Sequence, residues 1–291
     1  MIKQSFGTWI DLGLLIFDLG LRVQKGLMHK LLTVILVAPL VGCSAKNSTI
    51  ETANIDNYTT NRIANIIETQ VKNVDATHQS EIINRVSAEF LGTPYKADVL
   101  IGSPTEPEKL VVNFDGLDCF TYLDYVNALR QSGSESDFFK KLISTRYINN
   151  DISYTHRKHF FTDWSHRQPL NARDVTAQIS SHTVVVTKYL NQRENGSEFI
   201  PTLGIVKRDV SYIPAEFVND EVISHLKTGD YIGIYTKIKG LDVTHTGIFI
   251  MTPNGAVLRN ASSMKKNMKV VDSTFVPYVK NTPGIIVLRA L

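Results

Sequence analysis

Apolar residues recur along this chain with two different periods, and the change from one to the other divides it. From about Asn61 to Phe90, Ile63, Ile66, Ile67, Val71, Val74, Ile82, Ile83 and Val86 suit two amphipathic helices. Phe120, Leu123, Val126 and Leu129 then fall at every third position and predict a further helix, with Asp118 as its N-cap. A mostly polar segment follows from Ser132 to Arg173. After about Thr183 the pattern shortens to β-branched runs at Thr183–Thr187, Asp230–Thr236, His245–Thr252, Ala256–Asn260 and Gly284–Arg289. Between two of them, Pro253-Asn254-Gly255 signals a hairpin. Helices first and strands later predict an α+β fold with a mainly antiparallel sheet. There is no internal repeat and no glycine-rich phosphate loop.

The beginning of the chain follows other rules. An apolar run from Leu31 to Val41 comes after His29 and Lys30 and ends in Leu40-Val41-Gly42-Cys43. It is shorter than the roughly 20 residues that a membrane-spanning helix needs and fits the core of a secretory signal. Its end resembles the lipobox of bacterial lipoproteins, which implies lipidation of Cys43 and a mature chain starting there. The other reading is a buried helix with an ordinary cysteine. Met28 is then the expected start. Residues 1–27, whose apolar stretch is broken by Asp11 and Asp18, read as an upstream extension or else as an unusually long n-region. The expected organisation is extension and signal over 1–42, lipid anchor and tether over 43–60, and one domain over 61–291. A lipoprotein faces the periplasm, and Ser44 after the cysteine resembles outer-membrane sorting.

Composition narrows the classes. Hydrophobic residues make up 43% and charged residues 20%, which is ordinary for a globular domain. A formal charge of +3 without a basic cluster interleaved with aromatics argues against nucleic acid as partner. The densest basic patch is Lys265-Lys266 with Lys269, readable as a solvated loop or as an anion site.

The chain has two cysteines. With Cys43 lipidated, Cys119 has no partner, and a lone thiol in an exported protein is a candidate reactive group. At a helix start, the macrodipole and free N–H groups favour its thiolate, whereas Asp118 beside it opposes that form. His245 in Thr244-His245-Thr246-Gly247 opens a strand and is the candidate base.

Leu91-Gly92-Thr93-Pro94-Tyr95, Asp118-Cys119-Phe120-Thr121, His245-Thr246-Gly247 and Asn260-Ala261-Ser262 occur in the order seen in the NlpC superfamily of papain-like cell-wall cysteine hydrolases. Residues 61–291 are most similar to its N-acetylmuramoyl-L-alanine amidase-like branch. The segment His159-Phe160-Phe161-Thr162-Asp163-Trp164 and the terminal Gly284–Arg289 run share that likeness. The resemblance implies a papain-like core, with the cysteine on the helical half and the histidine on the sheet. It also implies a peptidoglycan or muropeptide substrate and no cofactor. Cys119 would be the nucleophile, His245 the base, Asn260 the third residue orienting His245, and Tyr95 an oxyanion donor. The implied bond is the amide between N-acetylmuramic acid and L-alanine. The wider superfamily offers D-glutamyl–diaminopimelate cleavage as the alternative. One feature of the hairpin opposes the third assignment. If Asn254-Gly255 is the turn, Asn260 pairs with Phe249, about 13 Å along the strand from His245.

Two other classes compete. His156, His159, Asp163 and His166 have spacings that could share a helix face and hold zinc, although the segment lacks helical periodicity. Read instead as a substrate loop, the same segment would offer Trp164 as a stacking surface for sugar, with His159 and Asp163 beside it. A non-catalytic wall-binding lipoprotein would usually lack one of Cys119 and His245.

Overall fold

The computed structural model describes residues 53–291. Met28, the apolar run, Cys43 and most of the expected tether lie outside the described residues.

Among the described residues, regular structure is present ahead of the expected boundary at Asn61. Strand β1 (Asn54–Ile55) pairs in parallel with β2 (Val111–Val112). Helix α1 (Asn57–Ile66) is capped by Asp56, whose side chain accepts from the Thr59 N–H. It runs into a π-helical turn, Ile67–Val71, and α2 (Gln79–Ala88) follows. Helix α3 (Cys119–Leu129) begins at the candidate nucleophile.

Helix α4 (Glu135–Arg146) lies in the segment whose polarity concealed it. Phe138, Phe139 and Leu142 are its buried apolar residues, Ile143 packs beside them in part, and Thr145 and Arg146 complete the buried side. Arg146 forms a 2.8 Å ion pair with Asp124 of α3, both side chains 3% exposed. This pair pins the two helices together.

The remaining strands are β3 (Ala172–Asp174), β4 (Val184–Leu190), β5 (Val206–Pro214), β6 (Tyr231–Tyr235), β7 (Val243–Thr252), β8 (Gly255–Ser262), β9 (Lys269–Thr274) and β10 (Gly284–Ala290). They form one sheet in the order β4-β5-β10-β6-β7-β8-β9, with β3 also on β10. Every pair in it is antiparallel. The fold is therefore α+β with a mainly antiparallel sheet, as the order of elements predicts.

The central strands are apolar on both faces because both faces are covered. Along β10, Ile286 and Leu288 enter the core under α1–α4, whereas Ile285 and Val287 enter a second core. That second core is closed by the short helices α6 (Thr176–Ile179), α7 (Asp220–His225) and α8 (Phe275–Val279), whereas α5 (Asp163–His166) lies against the first. Of these, α6, α7 and α8 contribute Ile179, Val222, Phe275 and Val279 to it, while Trp164 of α5 belongs to the first core. Strands β5 and β9 escape the hydrophobic pattern because Lys207-Arg208-Asp209 interrupts one and Asp272 the other.

Candidate active site

Asp118 starts the Cys119 helix with a reciprocal cap. Its carboxylate accepts from the Phe120 and Thr121 N–H groups at 3.0 and 2.7 Å, and the Thr121 hydroxyl accepts from the Asp118 N–H. Cys119 is thereby fixed at the first helical position, where a backbone N–H has no helical acceptor. Among the described residues no group accepts from the Cys119 N–H.

Strand β7 meets this helix end. Its ladder with β8 runs from Thr252↔Gly255 to Ile248↔Arg259 and stops there. The register with β6 shifts between Ile234↔His245 and Tyr235↔Val243, a bulge just ahead of His245. Thr246, next to that bulge, donates its hydroxyl to the Cys119 carbonyl at 2.8 Å. Burial pushes the Cys119 thiol up to about 12 and Asp118 adds to this, while the Thr246 N–H and hydroxyl oppose it. Among the described residues Sγ makes no hydrogen bond to His245.

The hairpin register removes the apparent conflict over Asn260. The turn is centred on Pro253-Asn254, one residue earlier than Asn254-Gly255, so Leu258 rather than Asn260 faces Phe249. Continuing that register sets Asn260 across from Gly247, two residues from His245 and on its face of the sheet. Diagonal neighbours of this kind are within side-chain reach. Gly247 keeps the space clear. A Cβ there would come within 2.7 Å of Leu258, 2.9 Å of the Arg259 carbonyl oxygen and 3.0 Å of the Asn260 Cβ.

Asn260 Oδ1 accordingly lies 3.0 Å from His245 Nε2. The amide orientation is settled by Leu258, whose carbonyl can only accept, from Asn260 Nδ2 at 2.9 Å. Ser273 Oγ also accepts from Nδ2, at 3.2 Å. With Oδ1 as the acceptor, His245 carries its hydrogen on Nε2 and its lone pair on Nδ1. Burial holds the imidazole down at about 4, against the opposing effect of Asn260. Both shifts favour the neutral forms, thiol at Cys119 and imidazole at His245.

Two phenols frame the sulfur. Tyr95 is held between two segments: its N–H donates to Met268 O at 2.9 Å, and it bridges Leu117 just before the helix. Burial, then Cys119 and Asp118, push its phenol above the usual range. Tyr278 of α8 lies with its ring centroid 6.2 Å from that of His245. Burial and then Cys119 raise its phenol to about 12. Neither hydroxyl has a hydrogen-bond partner among the described residues. Thr246, Gly247 and Tyr278 were not singled out from sequence as site residues. The first two are visible only as neighbours of His245, and nothing local marks the third.

The His159–Trp164 segment stands behind the site rather than in it. Trp164, expected to stack on sugar, is fully buried and packs edge-on against Phe120 and Tyr231 at 6.0 and 5.0 Å. It offers no surface to a ligand. Asp163, expected beside it, is a buried partner of Arg208 at 2.7 Å and accepts from the Phe160 N–H. His159 bonds the Tyr154 carbonyl at 2.7 Å, and burial lowers its pKa. Thr162 donates its N–H and hydroxyl to Asp242, both at 2.8 Å, and so anchors the start of β7.

The four residues considered for zinc do not converge. His156 ends a 3-10 turn, Tyr154–His156, His159 lies in the irregular link that follows, and Asp163 and His166 sit on α5, where His166 bonds the Thr162 carbonyl. Among the described residues no group of three or more His, Cys, Asp or Glu could hold a metal ion.

The AmiA-like family model, described as N-acetylmuramoyl-L-alanine amidase-like, matches residues 85–285. No curated protein matches the chain. An N-acetylmuramoyl-L-alanine amidase from Bacteroides uniformis has a similar structure, with TM-score 0.61 and 30% identity over 73% of this chain and 98% of that one. A Bacteroides fragilis protein carrying a proposed xylanase assignment gives TM-score 0.59 and 31% identity, over 70% and 98% of the two chains. A Legionella pneumophila protein shares the fold at TM-score 0.67 and 23% identity, over 80% and 95%. The chain belongs to the N-acetylmuramoyl-L-alanine amidase-like family.

Proposed function

We propose that this protein is a papain-like cysteine amidase that cleaves the bond between N-acetylmuramic acid and L-alanine in muropeptides. The observation that carries the reading is the Asn260–His245 hydrogen bond, which leaves Nδ1 as a proton acceptor on the strand that contacts the Cys119 helix. The family match and the B. uniformis amidase support the substrate class.

In this mechanism the lactyl carbonyl of the muramoyl group enters between Tyr95 and the start of α3. His245 Nδ1 takes the thiol proton as Sγ attacks the carbonyl carbon, through a hydrogen bond made once substrate is bound. Burial disfavours the thiolate and the imidazolium when each stands alone. Transfer coupled to attack passes the negative charge to the carbonyl oxygen, and the Asn260 carbonyl steadies the imidazolium. The Cys119 N–H and the Tyr95 hydroxyl, both unpartnered among the described residues, are the donors for that oxyanion. His245 then protonates the departing L-alanine nitrogen, leaving the muramoyl group as a thioester on Cys119. Water activated by His245 hydrolyses the thioester and restores the thiol.

A glycosidase reading, suggested by the B. fragilis neighbour's name, would require two carboxyl groups flanking a sugar bond. Asp118 caps its helix and Asp272 pairs with Arg259, so neither of these carboxylates is free to form such a pair. In the proposed setting the enzyme is exported and anchored through Cys43, which brings it to the cell wall.

The test is sensitivity to thiol chemistry. Muropeptide cleavage that persists in chelator and is lost after alkylation of Cys119 is the expected result. Cleavage that survives alkylation or Cys119→Ala contradicts the cysteine mechanism.

A further inference from the structure

A groove of about 810 Å³ opens on the imidazole side of the site. Thr244, His245 and Tyr278 line it, together with Lys266 and Asn267. Its one acid, Asp272, has both carboxylate oxygens held by Arg259, at 2.8 and 3.0 Å. Lys266 is exposed, as are Lys265 and Lys269 on either side of it. Among the described residues none of the three lysines forms an ion pair. The groove therefore presents uncompensated positive charge, which attracts anions and steers their approach.

The chemistry of the reaction says which part of the substrate lies there. The imidazole must reach the departing nitrogen to protonate it, so the amine half of the substrate occupies the His245 side. The groove adjoins His245 and does not include Cys119. In a muropeptide the amine half is the stem peptide, which carries the D-glutamate α-carboxylate and further carboxylates toward its C-terminus. We propose that this groove is the stem-peptide subsite and that Lys266, flanked by Lys265 and Lys269, selects peptides with free carboxylates. The proposal rests on the amidase reading above. It assigns a role to the basic patch that sequence alone left as a solvated loop or an anion site.

The test is calorimetric binding of L-Ala-γ-D-Glu-diaminopimelate to full-chain protein carrying Cys119→Ala, which needs no turnover. The same peptide with its carboxylates amidated is the control. The free acid should bind about tenfold more tightly than the amide, and Lys265→Gln/Lys266→Gln/Lys269→Gln should abolish that difference. These exposed substitutions leave the core untouched, and thermal unfolding at an unchanged midpoint checks that the fold persists. Equal binding of the two peptides, or the same preference in the lysine variant, overturns the proposal. So does no peptide binding at all, or a loss in the variant seen only with vesicles of anionic phospholipid. Failure of the amidase reading would appear separately, as the wrong products from the unmodified enzyme.

Discussion

Asn260 Oδ1 stands 3.0 Å from His245 Nε2, and it fixes the imidazole in the one tautomer that leaves Nδ1 basic. In Asn260→Ala the ring loses both its anchor and its tautomer preference. The expected result is a fall in kcat of about a hundredfold with little change in KM, read from steady-state kinetics on a muropeptide. An unchanged kcat would remove Asn260 from the mechanism.

Gly247 carries that arrangement at one remove. A Cβ at this position meets the Arg259 carbonyl and the Asn260 Cβ at 3.0 Å or less, so the β7–β8 pair must shift. Gly247→Ala should cost at least about tenfold in kcat and lower the unfolding temperature, by destabilisation of roughly 1–3 kcal/mol. A crystal structure of the variant should show the Asn260–His245 bond lengthened.

Tyr95→Phe removes one of the two proposed oxyanion donors without emptying the space the ring fills. The expected loss is about a hundredfold in kcat, with KM nearly unchanged, because the donor acts on charge that develops only during attack. A change confined to KM would make Tyr95 a substrate contact instead.

Acid should affect the enzyme at an unusually low pH. In the proposed mechanism the neutral imidazole is the active form, and burial holds it down at about 4. The kcat/KM profile should stay level through neutrality and fall only toward pH 4. An acid limb at the ordinary imidazole value of about 6.5 would contradict this. Stability follows the same group: between about 6.5 and 4 the unfolded chain binds the proton and the folded chain does not. Folding stability therefore rises with pH across that window and is lost as pH falls through it. His245→Gln should flatten that part of the curve of unfolding temperature against pH.

The buried Arg146–Asp124 pair should matter for stability rather than chemistry. Asp124→Ala leaves a guanidinium buried without its carboxylate between α3 and α4. Destabilisation by about 3–5 kcal/mol is expected in denaturant unfolding.

Local patterns showed the start of α3, the strand carrying His245 and the order of the two halves. They are set by capping and by alternation, which a short window of sequence contains. Helix α4 was hidden because its buried face includes Thr145 and Arg146, and its charge partner lies on another element. The Asn260 register depended on a one-residue choice of turn that Pro253-Asn254-Gly255 does not decide. Trp164 illustrates a different limit: an aromatic-rich run between polar residues looks like a ligand surface until Phe120 and Tyr231 are seen to cover it. Tyr278 reaches the thiol only through tertiary packing of α8.

The most direct measurement is mass spectrometry of the products formed from purified disaccharide-tetrapeptide by the enzyme and by Cys119→Ala. Free disaccharide plus intact tetrapeptide, absent with the variant, is the predicted result. Disaccharide-dipeptide would contradict the assigned bond and indicate cleavage after D-glutamate. The same products from Cys119→Ala would contradict the nucleophile itself.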